Sequence, residues 1–171
     1  MKKTQILSIL NLVALVIHVT LSYFTQFKLI NEQDVGQVSD AYDSLFTPAG
    51  ITFAIWGVIY TALLFFCIYH IRMAFKKEDT HPANENVRRI GFWFILNNIG
   101  AAAWLIVWTK GWIPASAGLI LFQLLTLIII HLRLTIHDPH GKTDSKIFTQ
   151  FPLSIYFGWL TIATIANISV Y

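Results

Sequence analysis

The side chains best suited to chemistry in this sequence are uncharged aromatic and amide groups inside long apolar runs. Trp56 and Tyr60 are four residues apart, so on a helix they share one face. Other runs contain further rings and polar side chains, namely Trp93, Trp104, Tyr156, Trp159, Asn97, Asn98, Gln123, Thr126, Thr161, Thr164 and Asn167. Such groups either line an apolar pocket with a few placed polar atoms or hydrogen-bond and pack the helices together.

Ionisable side chains are scarce in these runs. No Asp, Glu, Lys or Arg lies deep inside them, which argues against ion pumping and proton-coupled transport, because both use buried charges. His18 is the deepest ionisable residue. It is either a ligand contact or proton site or, as we expect, a neutral imidazole that hydrogen-bonds between helices. His70-Ile71-Arg72 and His131-Leu132-Arg133 could form a paired anion or metal site, but we expect arginines that snorkel to the membrane surface.

Catalytic and metal-binding motifs are missing from the sequence. It has no Gly-rich phosphate loop, no Ser-His-Asp order and no H-E-x-x-H. No nucleophile can therefore be named, and an enzyme is not the expectation. His137-Asp138-Pro139-His140 could bind a metal weakly, but a solvated turn is expected. We predict no metal site and no required cofactor.

The composition is that of a membrane protein. Of 171 residues, 56% are hydrophobic and 12% are charged, whereas a soluble domain has about 25% charged residues. The net charge of +3 is small and the basic residues flank apolar runs, which suits membrane orientation and argues against nucleic-acid binding. We expect a lipid bilayer as the main environment of the chain.

Five apolar runs dominate the chain, at about 6–24, 51–71, 90–108, 113–132 and 152–171. Each is close to the roughly 20 residues that a helix needs to cross about 30 Å of hydrocarbon. Membrane strands would alternate in polarity over about 10 residues, and these runs do not. The sequence predicts an all-α, polytopic bundle of five transmembrane helices in one domain, 1–171. The first run exceeds a signal core of roughly 7–15 residues, so we expect it to be retained.

The distribution of basic residues predicts the orientation of the bundle. Ten of the twelve Lys and Arg residues fall on the side of the N-terminus, namely Lys2, Lys3, Arg72, Lys76, Lys77, Arg88, Arg89, Arg133, Lys142 and Lys146. Lys28 and Lys110 fall on the other side. The positive-inside rule places the N-terminus in the cytoplasm. The acidic 26–47 loop and the C-terminus would then lie outside the cytoplasmic membrane.

Glycine and proline mark two further features. Phe46-Thr47-Pro48-Ala49-Gly50 closes the polar loop and opens the second run, and Pro48 suits a first helical turn. Gly100 and Gly158 lie inside apolar runs, where small residues let helices approach closely.

The chain resembles the TspO/MBR family, the tryptophan-rich sensory proteins related to the translocator protein. The resemblance rests on the Phe46–Gly50 turn followed by Trp56-Gly57-Val58-Ile59-Tyr60, on Asn97 or Asn98 with Trp104, and on Trp159, Ala163 and Asn167 at spacings of four. Phe46 and Ala49 stand where the family has Trp and Pro, which indicates a distant branch.

The resemblance implies five membrane helices, homodimers, and binding of porphyrins such as protoporphyrin IX or other flat hydrophobic ligands. The implied role is sensory, transport or ligand handling. The residues expected to bind the ligand are Trp56, Tyr60, Asn97, Asn98, Trp104, Trp159, Ala163 and Asn167. The aromatics would stack on it, the amides would orient it, and Ala163 would leave room for it. A small transporter module and an intramembrane porphyrin-degrading enzyme are the alternatives.

Overall fold

The computed structural model describes residues 1–42, 46, 49–136 and 145–170, and within these ranges its regular secondary structure is entirely helical. The α-helices there are α1 Lys3–Gln26, α2 Val35–Ala41, α3 Ile55–Lys76, α4 Pro82–Ile90, α5 Trp93–Thr109, α6 Ile113–Leu134 and α7 Phe151–Ser169. A short 3-10 helix, Gly50–Ala54, leads into α3, and a π-helical segment, Lys146–Gln150, leads into α7. The predicted all-α class is confirmed.

Most of the predicted apolar runs correspond to helices of membrane-spanning length. Four segments are long and apolar enough to cross a bilayer, namely Lys3–Gln26, Gly50–Lys76, Ile113–Leu134 and Lys146–Ser169. The bent pair of α4 and α5 adds a fifth if the two helices count as one span. The described part of the chain therefore has four or five candidate spans.

The predicted start of the third span, 90–108, was wrong, because α4 ends at Ile90 and α5 begins at Trp93. The helix breaks after Ile90, and α4 and α5 meet at an angle of 52°. Gly91, at the break, has φ +57° and ψ −128°, a conformation that side chains other than hydrogen strongly disfavour. The predicted polar connection 72–89 contains α4, which starts at Pro82 because the His81 side chain accepts a hydrogen bond from Ala83 N–H at 3.2 Å.

The predicted polar loop 26–47 also contains a helix, α2. Its start is a capping box, in which two side chains satisfy the free N–H groups of the first turn. Asp34 Oδ1 accepts from Gln37 N–H at 2.9 Å, and Gln37 Oε1 accepts from Asp34 N–H at 3.2 Å. The loop is therefore a structured segment over its described residues.

The long helices pack in a ring, in which α5 lies between α1 and α6, and α7 lies between α6 and α3. Gly100 permits the close approach of α5 and α6, because a Cβ at this position would stand 2.9 Å from Phe122 Cδ1. The prediction for Gly158 was wrong, since a Cβ there would meet nothing within 4 Å. Close helix contact thus depends on one of the two predicted glycines.

The described helices run between two ends of the bundle. The end that holds Gln26, Gly50, Thr109 and Ser169 is called the loop end. The opposite end, which holds Lys3, Lys76 and Leu134, is called the basic end. Several predicted features lie outside the described residues, namely the Thr47-Pro48 turn, His137-Asp138-Pro139-His140, Lys142 and Tyr171.

Candidate functional site

An aromatic cluster surrounds the first turns of α3. Trp56 and Tyr60 stack with ring centroids 5.2 Å apart and planes 29° apart. Trp56 meets Trp159 of α7 edge-on at 5.9 Å, and Phe53 meets Trp159 edge-on at 6.5 Å. Offset and edge-on arrangements are those that aromatic rings prefer. The cluster therefore joins α3 to α7 through rings in ordinary, favourable contact.

A cavity of about 350 Å³ lies beside this cluster, between α1, α3 and α5, and is called the aromatic cavity. Rings from α3 and α5 and polar groups from α1 line it, together with smaller side chains: Ser22, Tyr23, Gln26, Val35, Gly50, Phe53, Ala54, Trp56, Gly57, Tyr60, Trp104 and Leu105. Among these lining residues none carries a charge. The volume is at the lower end of the range for small-molecule sites, roughly 300–1,000 Å³, so the cavity suits a flat, uncharged or amphipathic group.

A smaller cavity of about 40 Å³, called the α7 annex, adjoins the aromatic cavity. It is lined by α5, α7, α2 and the 3-10 helix: Val35, Ser39, Phe53, Trp104, Trp108, Trp159, Ile162, Ala163, Ala166, Asn167 and Val170. Val35, Phe53 and Trp104 line both cavities. A shift of these three side chains would therefore join the two spaces.

Helix α2 packs over the loop end of α5, next to both cavities. The indole N–H of Trp108 donates to the carbonyl oxygen of Val35 at 3.1 Å, and Val38 is buried against Trp108. Asn31, just before α2, donates to Thr109 Oγ1. These bonds place Val35 at the boundary of the aromatic cavity and the annex.

Two indole N–H groups beside the cavities have no hydrogen-bond partner in the part of the chain that the structure describes. The Nε1 atoms of Trp104 and Trp159 are buried, and no acceptor lies within reach among the described residues. Buried tryptophan N–H groups ordinarily find a partner, and each unsatisfied donor costs roughly 1–3 kcal/mol. Both residues line the annex, and Trp104 lines the aromatic cavity as well. A ligand with acceptor atoms would remove this cost.

Asn97 lies in the core, and neither cavity includes it in its lining. Its Nδ2 group donates to Gln123 O at 2.9 Å and to Thr126 Oγ1 at 2.8 Å. Its Oδ1 accepts from Tyr156 O–H at 2.8 Å. The amide thus uses both of its N–H donors and its oxygen to join α5, α6 and α7, and leaves little capacity for a ligand.

Asn98 reaches the aromatic cavity only indirectly, through His18. Its Nδ2 donates to Phe94 O at 2.8 Å, and its Oδ1 lies 3.0 Å from His18 Nδ1. This geometry assigns the imidazole proton to Nδ1. His18 Nε2 lies 3.5 Å from Tyr60 O–H, which donates to Ser22 Oγ at 3.0 Å. His18 therefore links α1 to α5 by a hydrogen bond, as expected, and its ring meets that of Tyr60 edge-on at 5.3 Å at the cavity wall.

Asn167 is tied to α6 at the far side of the annex. Its Nδ2 donates to Ser116 Oγ at 3.2 Å, and Ser116 Oγ in turn lies 3.4 Å from Asn167 Oδ1. Ser116 O–H also lies 2.8 Å from Ile113 O. A hydroxyl has one proton, and the shorter contact of Ser116 directs it to Ile113 O. The amide oxygen of Asn167 can therefore accept a hydrogen bond from another donor.

The structure brings six of the eight predicted site residues to the two cavities. Trp56, Tyr60 and Trp104 line the aromatic cavity, and Trp104, Trp159, Ala163 and Asn167 line the annex. Asn97 and Asn98 line neither of them. Neighbouring residues on a helix point about 100° apart, so these two amides face different helices.

Ser22, Val35 and Phe53 are among the lining positions that were not anticipated from the sequence. Ser22 lies four residues after His18 and so shares its face of α1. Phe53 lies three residues before Trp56, but in a 3-10 turn, so spacing on an α-helix would misplace it. Val35 lies inside the capping box, whose Asp34-x-x-Gln37 pattern was the available signal for α2.

Metal binding has no support among the described residues, where no group of three or more His, Cys, Asp or Glu side chains comes together. His70 and His131 each place Nδ1 at 2.8 Å from a carbonyl of their own helix, Phe66 O and Leu127 O. Arg133 stacks over the Trp93 ring at 5.5 Å. Each of these two histidines is therefore bonded to its own helix, and Arg133 contacts a neighbouring one.

Comparison with protein families gives one match. A family model described as TSPO-like protein matches residues 8–171. No curated protein and no solved structure matches the chain. The match covers every residue that lines the aromatic cavity and the annex.

Proposed function

The chain belongs to the TSPO-like protein family, and on that premise we propose that it binds a flat, hydrophobic ligand of the porphyrin class in the aromatic cavity. Its several apolar helices and its family make it an integral membrane protein. The role we infer is sensing, transport or other handling of that ligand. The ligand would lie at the loop end, against Trp56, Tyr60 and Trp104.

One observation carries this proposal, namely the unsatisfied indole donors beside an uncharged aromatic cavity. Porphyrins combine a flat apolar ring with carboxylate side chains. The ring matches the stacked faces of Trp56 and Tyr60, and the carboxylates are acceptors for the N–H groups of Trp104 and Trp159. A purely apolar ligand would leave these two donors unsatisfied.

The decisive experiment places a larger side chain in the aromatic cavity. Gly57 lies between Phe53 and Tyr60 in the cavity lining, and a Cβ there would meet nothing within 4 Å. Gly57→Leu should therefore fold normally and abolish binding of protoporphyrin IX, measured as the absorbance change on titration into protein in lipid nanodiscs. Gly158→Leu is the matched control, because that glycine on α7 is equally unhindered. Equal binding by both variants would refute the proposal.

A second pair of variants tests the stacking. Trp56→Phe removes the larger ring from the cavity wall, and Trp112→Phe makes the same change at an exposed tryptophan of the loop end. An aromatic contact is worth about 0.5–1.5 kcal/mol, so Trp56→Phe should weaken protoporphyrin IX binding roughly three- to tenfold. Trp112→Phe should leave it unchanged. Absorbance serves as the readout, since both changes alter tryptophan fluorescence directly.

The same titration separates binding from the alternative roles. Loss of the porphyrin absorbance in light or oxygen, absent without protein, would indicate degradation. Flux of porphyrin into proteoliposomes would indicate transport. A stable absorbance and no flux would leave sensing or passive handling as the function. The Gly57→Leu variant should lose whichever activity is found.

The orientation that we propose puts the loop end outside the cytoplasmic membrane. Basic residues cluster at the opposite end, as the positive-inside rule requires of the cytoplasmic side. Glu32→Cys should react with a membrane-impermeant maleimide in intact cells, and Lys77→Cys only after lysis. Both positions are exposed, and the native Cys67 is buried. The reverse labelling pattern would overturn the orientation.

A further inference from the structure

The α7 annex is lined by hydrogen-bonding groups that the described residues leave unpaired. Trp104 and Trp159 each contribute a buried indole N–H without an acceptor. Asn167 lines the annex as well, and its Oδ1 atom has only the weaker contact of 3.4 Å with Ser116 Oγ. Because the Ser116 proton is directed to Ile113 O at 2.8 Å, the amide oxygen can accept from another donor. The annex therefore has two donors and one acceptor to offer to a ligand.

These polar groups are shielded from solvent. Trp159 is 8% exposed and Asn167 is 3% exposed. Among the other lining side chains only Ser39 and Trp108 have polar atoms, and the Trp108 N–H already donates to Val35 O. Unpaired polar groups in apolar surroundings are unfavourable, and lipid supplies no partners for them. A polar group of a ligand that pairs with them is therefore strongly favoured in this space.

The annex is next to the site proposed for the porphyrin ring. Val35, Phe53 and Trp104 form the boundary that it shares with the aromatic cavity. Its volume of about 40 Å³ has room for a group of only a few atoms. The acid groups of protoporphyrin IX hang on short flexible chains at the edge of the flat ring. A ring in the aromatic cavity can therefore place one acid group in the annex.

The absence of charge in the lining decides the form of that acid group. None of the residues that line the annex is charged. A carboxylate buried without a cation is unfavourable, and such a group ordinarily takes up a proton instead. A protonated carboxyl group and a primary carboxamide both combine an acceptor oxygen with an O–H or N–H donor. They complement the Trp159 N–H and the Asn167 oxygen together, whereas a carboxylate offers nothing to Asn167.

We propose that the annex is a subsite for a neutral carboxyl or carboxamide group of the ligand, which rests on the proposed porphyrin binding and refines its chemistry. One acid group of the porphyrin enters the annex with its proton. Its carbonyl oxygen accepts from Trp159 Nε1–H, and its O–H donates to Asn167 Oδ1. The second acid group remains available to Trp104 at the boundary. Asn167 is thereby a specificity-determining residue, because an ester has the acceptor and lacks the donor.

Three related porphyrins test this hydrogen-bond pattern. Protoporphyrin IX, its dimethyl ester and its dicarboxamide are titrated into wild-type protein in nanodiscs, with absorbance as the readout and partition into empty nanodiscs subtracted. From the net value of one neutral hydrogen bond, the ester should bind about three- to tenfold more weakly than the amide. The amide should bind at least as tightly as the acid, because it needs no proton to be neutral.

Variants of α7 separate recognition from the size of the ester. Asn167→Leu has a side chain of similar volume without the acceptor, so the difference between amide and ester should disappear. A preference that survives in this variant would mean that the methyl ester is merely too large, and would overturn the proposal. Thr161→Val is the matched control, since Thr161 is exposed and outside the annex lining, and should retain the difference. Trp159→Phe should weaken all three ligands about equally, because each has an acceptor for its N–H.

The outcomes distinguish this subsite from porphyrin binding itself. The wild-type series needs no variant, so it can overturn the proposal even if Asn167→Leu does not fold. Equal binding of ester and amide would show that no donor is recognised, and tighter binding of the acid than of the amide would show that the carboxylate is the bound form. Either result overturns the neutral subsite and leaves porphyrin binding in place. Absence of binding by all three compounds would overturn the proposed function, and the subsite with it.

Discussion

The polar layer around Asn97 and the aromatic cavity lie on the same helix, α5, and differ in how completely their polar atoms are satisfied. Asn97 uses both N–H donors and its oxygen in bonds of 2.8–2.9 Å to α6 and α7. Trp104, two turns further along, and Trp159, which faces it across the annex, keep buried N–H groups without a described partner. Within about 10 Å along α5, a side chain whose hydrogen-bonding groups are all paired is followed by one whose N–H donor is unpaired.

This difference separates a structural polar site from a binding site. Inside a membrane every polar group needs a partner from the protein, because lipid tails supply none. The Asn97 layer meets that condition by itself. Trp104 and Trp159 do not meet it, because their N–H groups lack a described partner. Phenylalanine would fill much of the same space without adding an unpaired donor. The unpaired indole N–H groups beside the cavities therefore point to a ligand that supplies their acceptors.

Replacement of Asn97 should give the largest loss of stability. Asn97→Leu breaks three hydrogen bonds and leaves the Tyr156 hydroxyl without its acceptor. Hydrogen bonds between membrane helices average about 0.6 kcal/mol, with a maximum near 1.7, so the variant should lose roughly 2–4 kcal/mol. Thermal unfolding in nanodiscs measures this. The folded fraction should still bind protoporphyrin IX with wild-type affinity, and a weakened affinity would place Asn97 in the binding site after all.

Overpacking at Gly100 should cost less. Gly100→Val places atoms against the Phe122 ring, where a Cβ alone would stand 2.9 Å from Cδ1. Overpacked cores lose typically 1–3 kcal/mol, and a loss of about 2 kcal/mol is expected in the same unfolding assay. Gly158→Val is the control, with little expected change because its surroundings are open. Similar losses at the two glycines would mean that α5 and α6 do not depend on this close approach.

The long apolar runs and the shared face of Trp56 and Tyr60 could be predicted from the sequence because both follow from fixed periodicities. Continuous apolarity over about 20 residues specifies a membrane helix, and a spacing of four specifies a common face. The separation of Asn97 from Asn98 follows from the same geometry, since adjacent side chains diverge by about 100°. Which helix each amide would meet depends on the tertiary packing of α6 and α1, which spacing alone does not encode.

The break before α5 could not be predicted in the same way. An isolated glycine in an apolar run is compatible with a continuous helix, with close packing or with a bend. Gly100 lies at a close helix contact, Gly91 lies at a bend, and Gly158 lies on an open surface. The surrounding packing decides among these outcomes. Phe53 shows the same limit at the site, because its 3-10 turn changes the face that α-helical spacing would give it.

The bend at Gly91 tests whether strain at the basic end reaches the cavity. Gly91→Ala forces a Cβ into φ +57° and ψ −128°, at a cost of order 1–2 kcal/mol. The expected result is a modest decrease in unfolding temperature with unchanged porphyrin affinity, since Gly91 lies about four turns of helix from Trp104. A marked loss of affinity at normal stability would show instead that the bend and the cavity are coupled.

Trp159→Phe should have the smallest effect on stability and so gives the sharpest contrast with Asn97→Leu. The change removes ring area, which destabilises the protein, and also removes a buried donor that has no described partner, which stabilises it by roughly 1–3 kcal/mol. The two effects oppose each other, and we expect a net change within about 1 kcal/mol in the unfolding assay. Binding of protoporphyrin IX should nevertheless weaken roughly fivefold, because the ligand loses one donor to its acceptor groups. A variant that is clearly less stable but binds normally would mean that the Trp159 N–H is satisfied within the protein, and the contrast between the Asn97 layer and the two cavities would then fail.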